Sequence, residues 1–171
     1  MAFLYICYMS TVVDPFIKNL NKVKKSIPRY ANMVIMEHSE IIIARLTDTQ
    51  LAYGLNSRGS VVGTYKPYTR KMAYQDKQSS NGRYPITDKE VGQPYNFQWT
   101  GELFESLNLK GDASSNEYEI FSVKGKLKFL ESEFNTKLSN LTEENNKWVN
   151  ENILMPKIYQ HILNEMFMGL I

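Results

Sequence analysis

The residue types that most often carry metal or acid–base chemistry are few and scattered in this chain. The only histidines are His38 and His161, and the single cysteine is Cys7. No His-Glu-x-x-His motif and no Cys/His ligand spacing occurs, so no pattern for a metal site is present. A single cysteine also excludes an intrachain disulfide. We therefore predict no metal and no cofactor.

Residue patterns for covalent or acid–base catalysis are also missing. A nucleophilic Ser or Cys needs an adjacent base, yet the chain has no Gly-x-Ser-x-Gly motif and no phosphate-cradling Gly loop. The Ser- and Gly-containing segment 57–63 is typical of a turn. The paired carboxylates Glu131/Glu133 and Glu143/Glu144 are typical of a solvated face and of a helix N-terminus, and no feature favours a carboxylate-pair hydrolase. We predict that the protein is not an enzyme and has no catalytic residues.

Segment 58–89 carries the strongest chemical signal, because it mixes cations with tyrosines. It holds seven Lys or Arg against two Asp. Three interpretations stay open. The segment is a solvated surface whose tyrosines pack on the core, or it contacts a nucleic-acid backbone, with Lys77 and Arg83 facing DNA. Alternatively it contacts a neighbouring subunit, and the candidates for that interface are Tyr65, Tyr68, Arg70 and Lys71. The net charge of +2 is too small to decide for nucleic acid.

The chain of 171 residues is of a size for one domain, with 43% hydrophobic and 22% charged residues as in ordinary globular proteins. Residues 1–13 are apolar and uncharged. They lack a basic n-region and a cleavage site and are too short to span a bilayer. Their β-branched and aromatic content predicts an extended arm or edge strand, packed on a neighbouring subunit or within the chain. The interface candidates here are Phe3, Leu4, Tyr5, Ile6 and Tyr8.

Residues 14–171 are predicted to form a single α+β domain. Asp14 followed by Pro15 starts a helix, which Pro28 ends or kinks. A second helix covers 29–53 and is closed by Gly54. Further on, Thr69 caps a helix over 70–77, 78–85 is a mobile loop, Thr100 caps a helix over 101–107, and strands lie at 107–110 and 117–125. Residues 126–134 are helix or strand, and Thr142 starts the last helix, which Pro156 interrupts. We expect N-terminal helices and a C-terminal helix packed on a small antiparallel sheet.

The order of motifs between residues 63 and 107 resembles that of a known family. Its residues are Gly63, Tyr65, Pro67, Thr69 and Lys71, then Thr100, Gly101, Leu103, Ser106 and Leu107. This order resembles tail-completion and neck proteins of long-tailed bacteriophages, and segment 141–162 is similar to that family's ending. Segment 132–145 departs from the family, which often has a Tyr-Ala…Gly segment and a Pro-Phe at that point.

The resemblance implies a structural virion protein: a subunit of a homo-oligomeric ring in the neck, or head–tail connector, linking portal to tail. Its partners would be other virion proteins on the portal or tail side, with at most weak non-specific contact to DNA and none to a membrane. It would be assembled in the host cytoplasm and reside in the virion. Trp99, Thr100, Gly101, Leu103 and Ser106 would form the structural motif at the centre of the domain. The alternative is a small nucleic-acid-binding protein that uses segment 58–89.

Overall fold

A computed structural model describes residues 2–112 and 117–167, with side chains from residue 16 onwards. In chain order the helices before the sheet are α1 (Ala2–Glu37), α2 (Ser39–Thr49), a 3₁₀ turn (Leu51–Tyr53), α3 (Pro67–Ser79) and α4 (Glu102–Glu105). The two strands are β1 (Leu107–Asp112) and β2 (Glu117–Ser122). They are followed by α5 (Lys126–Glu133), α6 (Glu143–Val149), a π-helical turn (Asn150–Leu154) and α7 (Met155–Phe167).

The core lies between the β-hairpin and the helices. β1 and β2 pair antiparallel, with Leu107 opposite Ser122 and Leu109 opposite Ile120. Side chains of a strand alternate between its faces, so Leu107, Leu109 and Ile120 together cover one face, and all three are buried. α1 and α2 both pack against β1. The most deeply buried large apolar side chains are Ile42, Leu46, Leu51, Leu127, Leu138, Val34 and Val149. The predicted α+β class, with helices on a small antiparallel sheet, is confirmed.

The N-terminal residues differ from the prediction of an extended arm or edge strand, because residues 2–13 belong to α1. Pro15 and Pro28 lie inside this 36-residue helix and end it at neither position. A proline ring already holds a helical φ and removes only one helical hydrogen bond, a cost that tertiary packing can offset. Around Pro28 that packing comes from α7, whose His161 stacks on Tyr30 at 4.0 Å between ring centroids. The side chains of Phe3, Leu4, Tyr5, Ile6 and Tyr8 lie outside the described ones.

The predicted helix over 29–53 is divided among three elements. α1 ends at Glu37, and His38 leaves helical geometry with its ring Nδ1 2.9 Å from the carbonyl oxygen of Val34. α2 and the 3₁₀ turn follow. Gly54 closes the 3₁₀ turn with φ 69°, as predicted. A side chain there would also meet the backbone oxygen of Tyr95 at 2.2 Å, so only glycine fits.

The predicted N-caps Thr69 and Thr100 are both wrong. The N-cap of α3 is Lys66, about one turn before Thr69, and that of α4 is one residue after Thr100. α3 starts at Pro67, so Thr69 lies within its first turn; proline at the first helical position is pre-set in φ and has no N–H to satisfy. α4 is capped by Gly101, at φ 82°, and the hydroxyl of Thr100 accepts only a long 3.4 Å hydrogen bond from the Glu102 amide. α3 also extends to Ser79, into the predicted loop over 78–85.

The C-terminal elements follow their local signals. Thr142 caps α6, as predicted, and accepts a hydrogen bond from the Asn145 amide. Residues 126–133 resolve as helix α5. Pro156, predicted to interrupt the last helix, lies inside α7; the irregular part is the π-helical turn Asn150–Leu154 that precedes it. α7 runs antiparallel to α1, as shown by Lys22 pairing with Glu165 and Ser26 with His161. Within the described residues, no helix is long and apolar enough to cross a bilayer.

Candidate binding pocket

The two halves of the phage-like motif meet in space. The backbone of residues 63–65 runs beside that of residues 92–95: the Tyr65 amide donates to the Gln93 carbonyl (2.9 Å) and the Tyr95 amide to the Gly63 carbonyl (3.0 Å). Gly63 is required there, since a Cβ would lie 2.7 Å from the Tyr95 ring. On the other side, the indole N–H of Trp99 donates to Asp76 in α3 (2.8 Å). This bond joins α3 to the segment that precedes α4.

Between these segments and α5 lies a pocket of about 420 Å³. Its apolar walls are Tyr65, Tyr95, Phe97, Trp99, Leu103, Phe129, Leu130 and Phe134. Its polar lining is Thr69, Lys89, Gln98, Thr100 and Lys126, and Gly101 also lines the pocket. The aromatic rings pack on one another, with centroids 5.0 Å apart for Tyr65 and Tyr95 and 5.3 Å for Tyr95 and Phe134. Such a volume and such walls are typical of small-ligand sites.

Lys89 is the residue that sequence reasoning missed. It was counted among the basic residues of segment 58–89, but its side chain is only 3% exposed. Its ammonium donates to Thr87 Oγ1 (2.7 Å), to the Gln98 carbonyl (2.8 Å) and to Asn96 Oδ1. Burial lowers the pKa of Lys89 to about 8, although the nearby Asp88 opposes this. No local signal in the sequence distinguishes it from an exposed lysine.

A polar network fixes this lysine and the backbone around it. The Tyr65 hydroxyl donates to Asn96 Oδ1 (2.9 Å) and accepts from the Asn96 amide (3.1 Å). The Asn96 side-chain amide donates to Thr87 Oγ1 (2.8 Å). Burial raises the pKa of Tyr65. A buried network with every member satisfied holds a single geometry, and among the described side chains no buried polar atom lacks a partner.

The motif residues therefore divide by environment. Tyr65 is 7% exposed and buried in its own chain, which corrects its prediction as a subunit-interface residue. Tyr68, three positions on, is 71% exposed. Trp99, Thr100, Gly101 and Leu103 line the pocket, and Trp99 is half-buried, with its indole bonded to Asp76 of α3. Ser106 lies outside the pocket lining and bonds Ser122 of β2 at 2.9 Å.

The other cations of segment 58–89 are only partly available. Arg70 pairs with Glu90 (3.6 Å) and Lys77 pairs with Asp88 (3.1 Å), so both have an intrachain partner. Lys71 and Arg83 are exposed, as are Arg58 and Lys66. Arg70, Lys71 and Lys77 lie on α3, in agreement with the predicted helix over 70–77, and Arg83 lies beyond the end of α3.

A second surface is formed by the two long helices. Exposed apolar side chains on α1 and α7 include Met33, Met36 and Met155 and a further six that we call the hairpin surface: Phe16, Ile17, Leu20, Tyr159, Leu163 and Phe167. The last three are spaced by four residues and share one face of α7. No residue of α7 is fully buried. Exposed cations border this surface on α1: Lys18, Lys22, Lys24, Lys25 and Arg29.

Over residues 2–112 and 117–167, no group of three or more His, Cys, Asp or Glu is arranged to hold a metal ion. Comparisons of the chain with models of protein families, with curated proteins and with solved structures each found no match. The likeness to phage neck proteins thus rests on the motif residues between 63 and 107 and on the C-terminal segment 141–162.

Proposed function

We propose that the protein is a structural virion protein of a tailed bacteriophage. It would act as a subunit of a homo-oligomeric ring in the neck or tail-completion region, linking portal to tail. The observation that carries the proposal is the hairpin surface, a set of large apolar side chains left in solvent on two paired helices. The motif resemblance supplies the phage context. No catalytic role is assigned to any residue.

The hairpin surface supports assembly because of its spacing. Single exposed apolar residues are common on monomers and need no explanation. Tyr159, Leu163 and Phe167 instead form a stripe on a helix that has no fully buried residue. Fully burying one such large side chain contributes about 1.5–3 kcal/mol. A partner that covers the stripe would therefore gain substantial binding free energy.

α1 offers further length for contacts between subunits. The Lys22–Glu165 pair lies near the end of α7. Residues 2–19 of α1 lie N-terminal to this pair. At the helical rise per residue they extend α1 by about 27 Å. Closed rings use head-to-tail interfaces in which one surface meets a different one on the neighbour. We assign the first part of α1 to one side of that contact.

Deleting residues 2–12 tests the proposal. The shortened protein should keep its fold, since the described core begins at Val23. It should lose higher-order assembly in size-exclusion chromatography with light scattering, and it should no longer enter particles. Leu163→Asp should do the same, whereas Ile41→Asp, at an exposed apolar position of α2, serves as the matched control. Normal assembly of both the truncation and Leu163→Asp would reject the proposal.

The alternative, a small nucleic-acid-binding protein, is favoured by the four exposed cations Arg58, Lys66, Lys71 and Arg83. Each phosphate contact would add about 0.9 to the salt slope for duplex DNA. For a ring subunit we expect weak, sequence-independent retention that disappears near physiological salt. Sequence-selective binding that survives physiological salt, together with normal particle assembly after neutralising Arg58, Lys66, Lys71 and Arg83, would make the alternative the better assignment.

A further inference from the structure

The charged residues that line the pocket are of one sign. Two lysines, Lys89 and Lys126, line it, and none of its lining residues is a carboxylate. Lys126 is paired at the rim with Glu102, which lies outside the lining. Lys89 is different. Among the described residues no carboxylate forms a salt bridge with it, and its three hydrogen-bond acceptors are uncharged.

A buried ammonium without a counter-ion is uncommon, because lysine is almost never fully buried unless it is paired. Uncharged acceptors satisfy its hydrogen bonds, and the nearby Asp88 carboxylate is exposed and paired with Lys77, so the charge of Lys89 is only partly compensated. Lys89 is buried and borders an open pocket, so the space beside it has a positive potential that an anion entering the pocket would lower.

The aromatic walls of the pocket favour an apolar group beside the anion. Six aromatic rings line the pocket: Tyr65, Tyr95, Phe97, Trp99, Phe129 and Phe134. Aromatic walls can also attract cations, but here the Lys89 ammonium already lies 5.3 Å from the Tyr65 ring and 6.0 Å from the Trp99 ring. A second cation would be repelled by Lys89. The Gln98 and Thr69 side chains, for which no internal hydrogen bond is found among the described residues, remain available to a polar group.

We propose that this pocket binds a small organic anion with an aromatic or bulky apolar body, its carboxylate or sulfonate directed to the side of Lys89 and Lys126. The apolar body packs on the aromatic walls, and the anion compensates the buried ammonium. This ligand site is separate from the hairpin surface and does not depend on ring assembly.

Two fluorescent probes that differ only in charge test the site. Anilinonaphthalene sulfonate is the anion, and phenylnaphthylamine is its uncharged parent. The full-length protein should bind the anion with one-to-one stoichiometry, and at least about tenfold more tightly than the parent, a factor typical of a contact to a charged group. In a Trp148→Phe protein, Trp99 is the sole tryptophan, and its emission should be quenched with the same affinity.

Charge-removing variants locate the anion. Lys89→Gln should weaken anion binding about tenfold and leave the uncharged probe unaffected. Lys126→Gln, at the exposed rim, should weaken it less, and Lys157→Gln on α7 is the control with no effect on either probe. If Lys89→Gln does not fold, the proposal is tested by the affinities of the wild-type protein for the two probes and by the anion affinity of Lys126→Gln. Equal affinity of the wild-type protein for both probes would overturn the proposal, as would unchanged anion affinity in the two pocket variants.

Discussion

The pocket region and the α1–α7 hairpin are built in opposite ways. Around the pocket the backbone is irregular, yet the side chains of Tyr65, Asn96 and Lys89 are hydrogen-bonded to one another or to their neighbours, and Tyr65 and Lys89 are buried. The hairpin consists of a 36-residue and a 13-residue helix. Its apolar side chains, Leu163 and Phe167 among them, are nevertheless exposed.

The difference shows where each region obtains its stability. A satisfied polar network and aromatic rings in edge-to-face and tilted contact can hold an irregular chain without help from another molecule. A helix pair with an uncovered apolar face gains its full stabilisation only when a partner covers that face. We therefore expect substitutions near the pocket to act on folding and substitutions on the hairpin to act on association.

The sharpest test of the first half of this comparison uses two tyrosines of the same segment. Tyr65→Ala should lower the free energy of unfolding by about 3–5 kcal/mol, as for other buried aromatic truncations. Tyr68→Ala, at a position 71% exposed, should change it by less than about 0.5 kcal/mol. Chemical denaturation of both variants measures the difference. Similar losses for the two would contradict the division between buried and exposed tyrosines.

The buried lysine should make folding depend on pH. The pKa of Lys89 is lowered from 10.5 to about 8, so between these values the unfolded chain holds a proton that the folded chain has released. Stability should therefore rise with pH across this window, by on the order of 2 kcal/mol. The raised pKa values of Tyr65 and Tyr118 act in the opposite direction above pH 10.

The comparison that isolates Lys89 is the slope of unfolding free energy against pH between 8 and 10 in the wild type and in Lys89→Met. The variant loses three hydrogen bonds, so its absolute stability is not the readout. Its slope should be flatter than that of the wild type. Equal slopes would mean that Lys89 keeps an ordinary pKa in the folded protein.

The burial of Trp99 is intermediate between that of Tyr65 and that of Tyr68. It is half-buried and its indole bonds Asp76 at 2.8 Å. We expect Trp99→Ala to cost about 2 kcal/mol, which combines a hydrogen bond to a charged group with partial loss of packing. Asp76→Asn should cost less, because an amide oxygen can still accept the bond. A loss above about 4 kcal/mol in denaturation would place Trp99 in the core instead.

The smallest effect on folding is expected on the hairpin. Leu163→Ser should change the unfolding free energy of the monomer by less than about 0.5 kcal/mol. The same substitution should raise the concentration needed for self-association, measured by light scattering. Lys157→Ser, also on the exposed part of α7, is the control. A large loss of monomer stability from Leu163→Ser would show that the stripe already packs within the chain.

Local sequence signals were sufficient for the features that depend on one or a few residues. Gly54 was predicted to close a helical segment and does so with positive φ. Thr142 was predicted as a cap and accepts the expected hydrogen bond. The antiparallel strands follow from alternation in segment 107–122. These features are decided by φ preference, capping and side-chain period, which a single chain segment already contains.

The remaining features depended on contacts between residues far apart in the chain. Pro28 stays within α1, where α7 packs alongside through His161. Tyr65 and Tyr68 have the same residue type, but only the fold decides which one meets Asn96 and which faces solvent. Lys89 looks like any exposed lysine until Thr87, Asn96 and Gln98 surround its ammonium. Burial is a property of the packed chain, so composition and spacing alone did not determine the pocket.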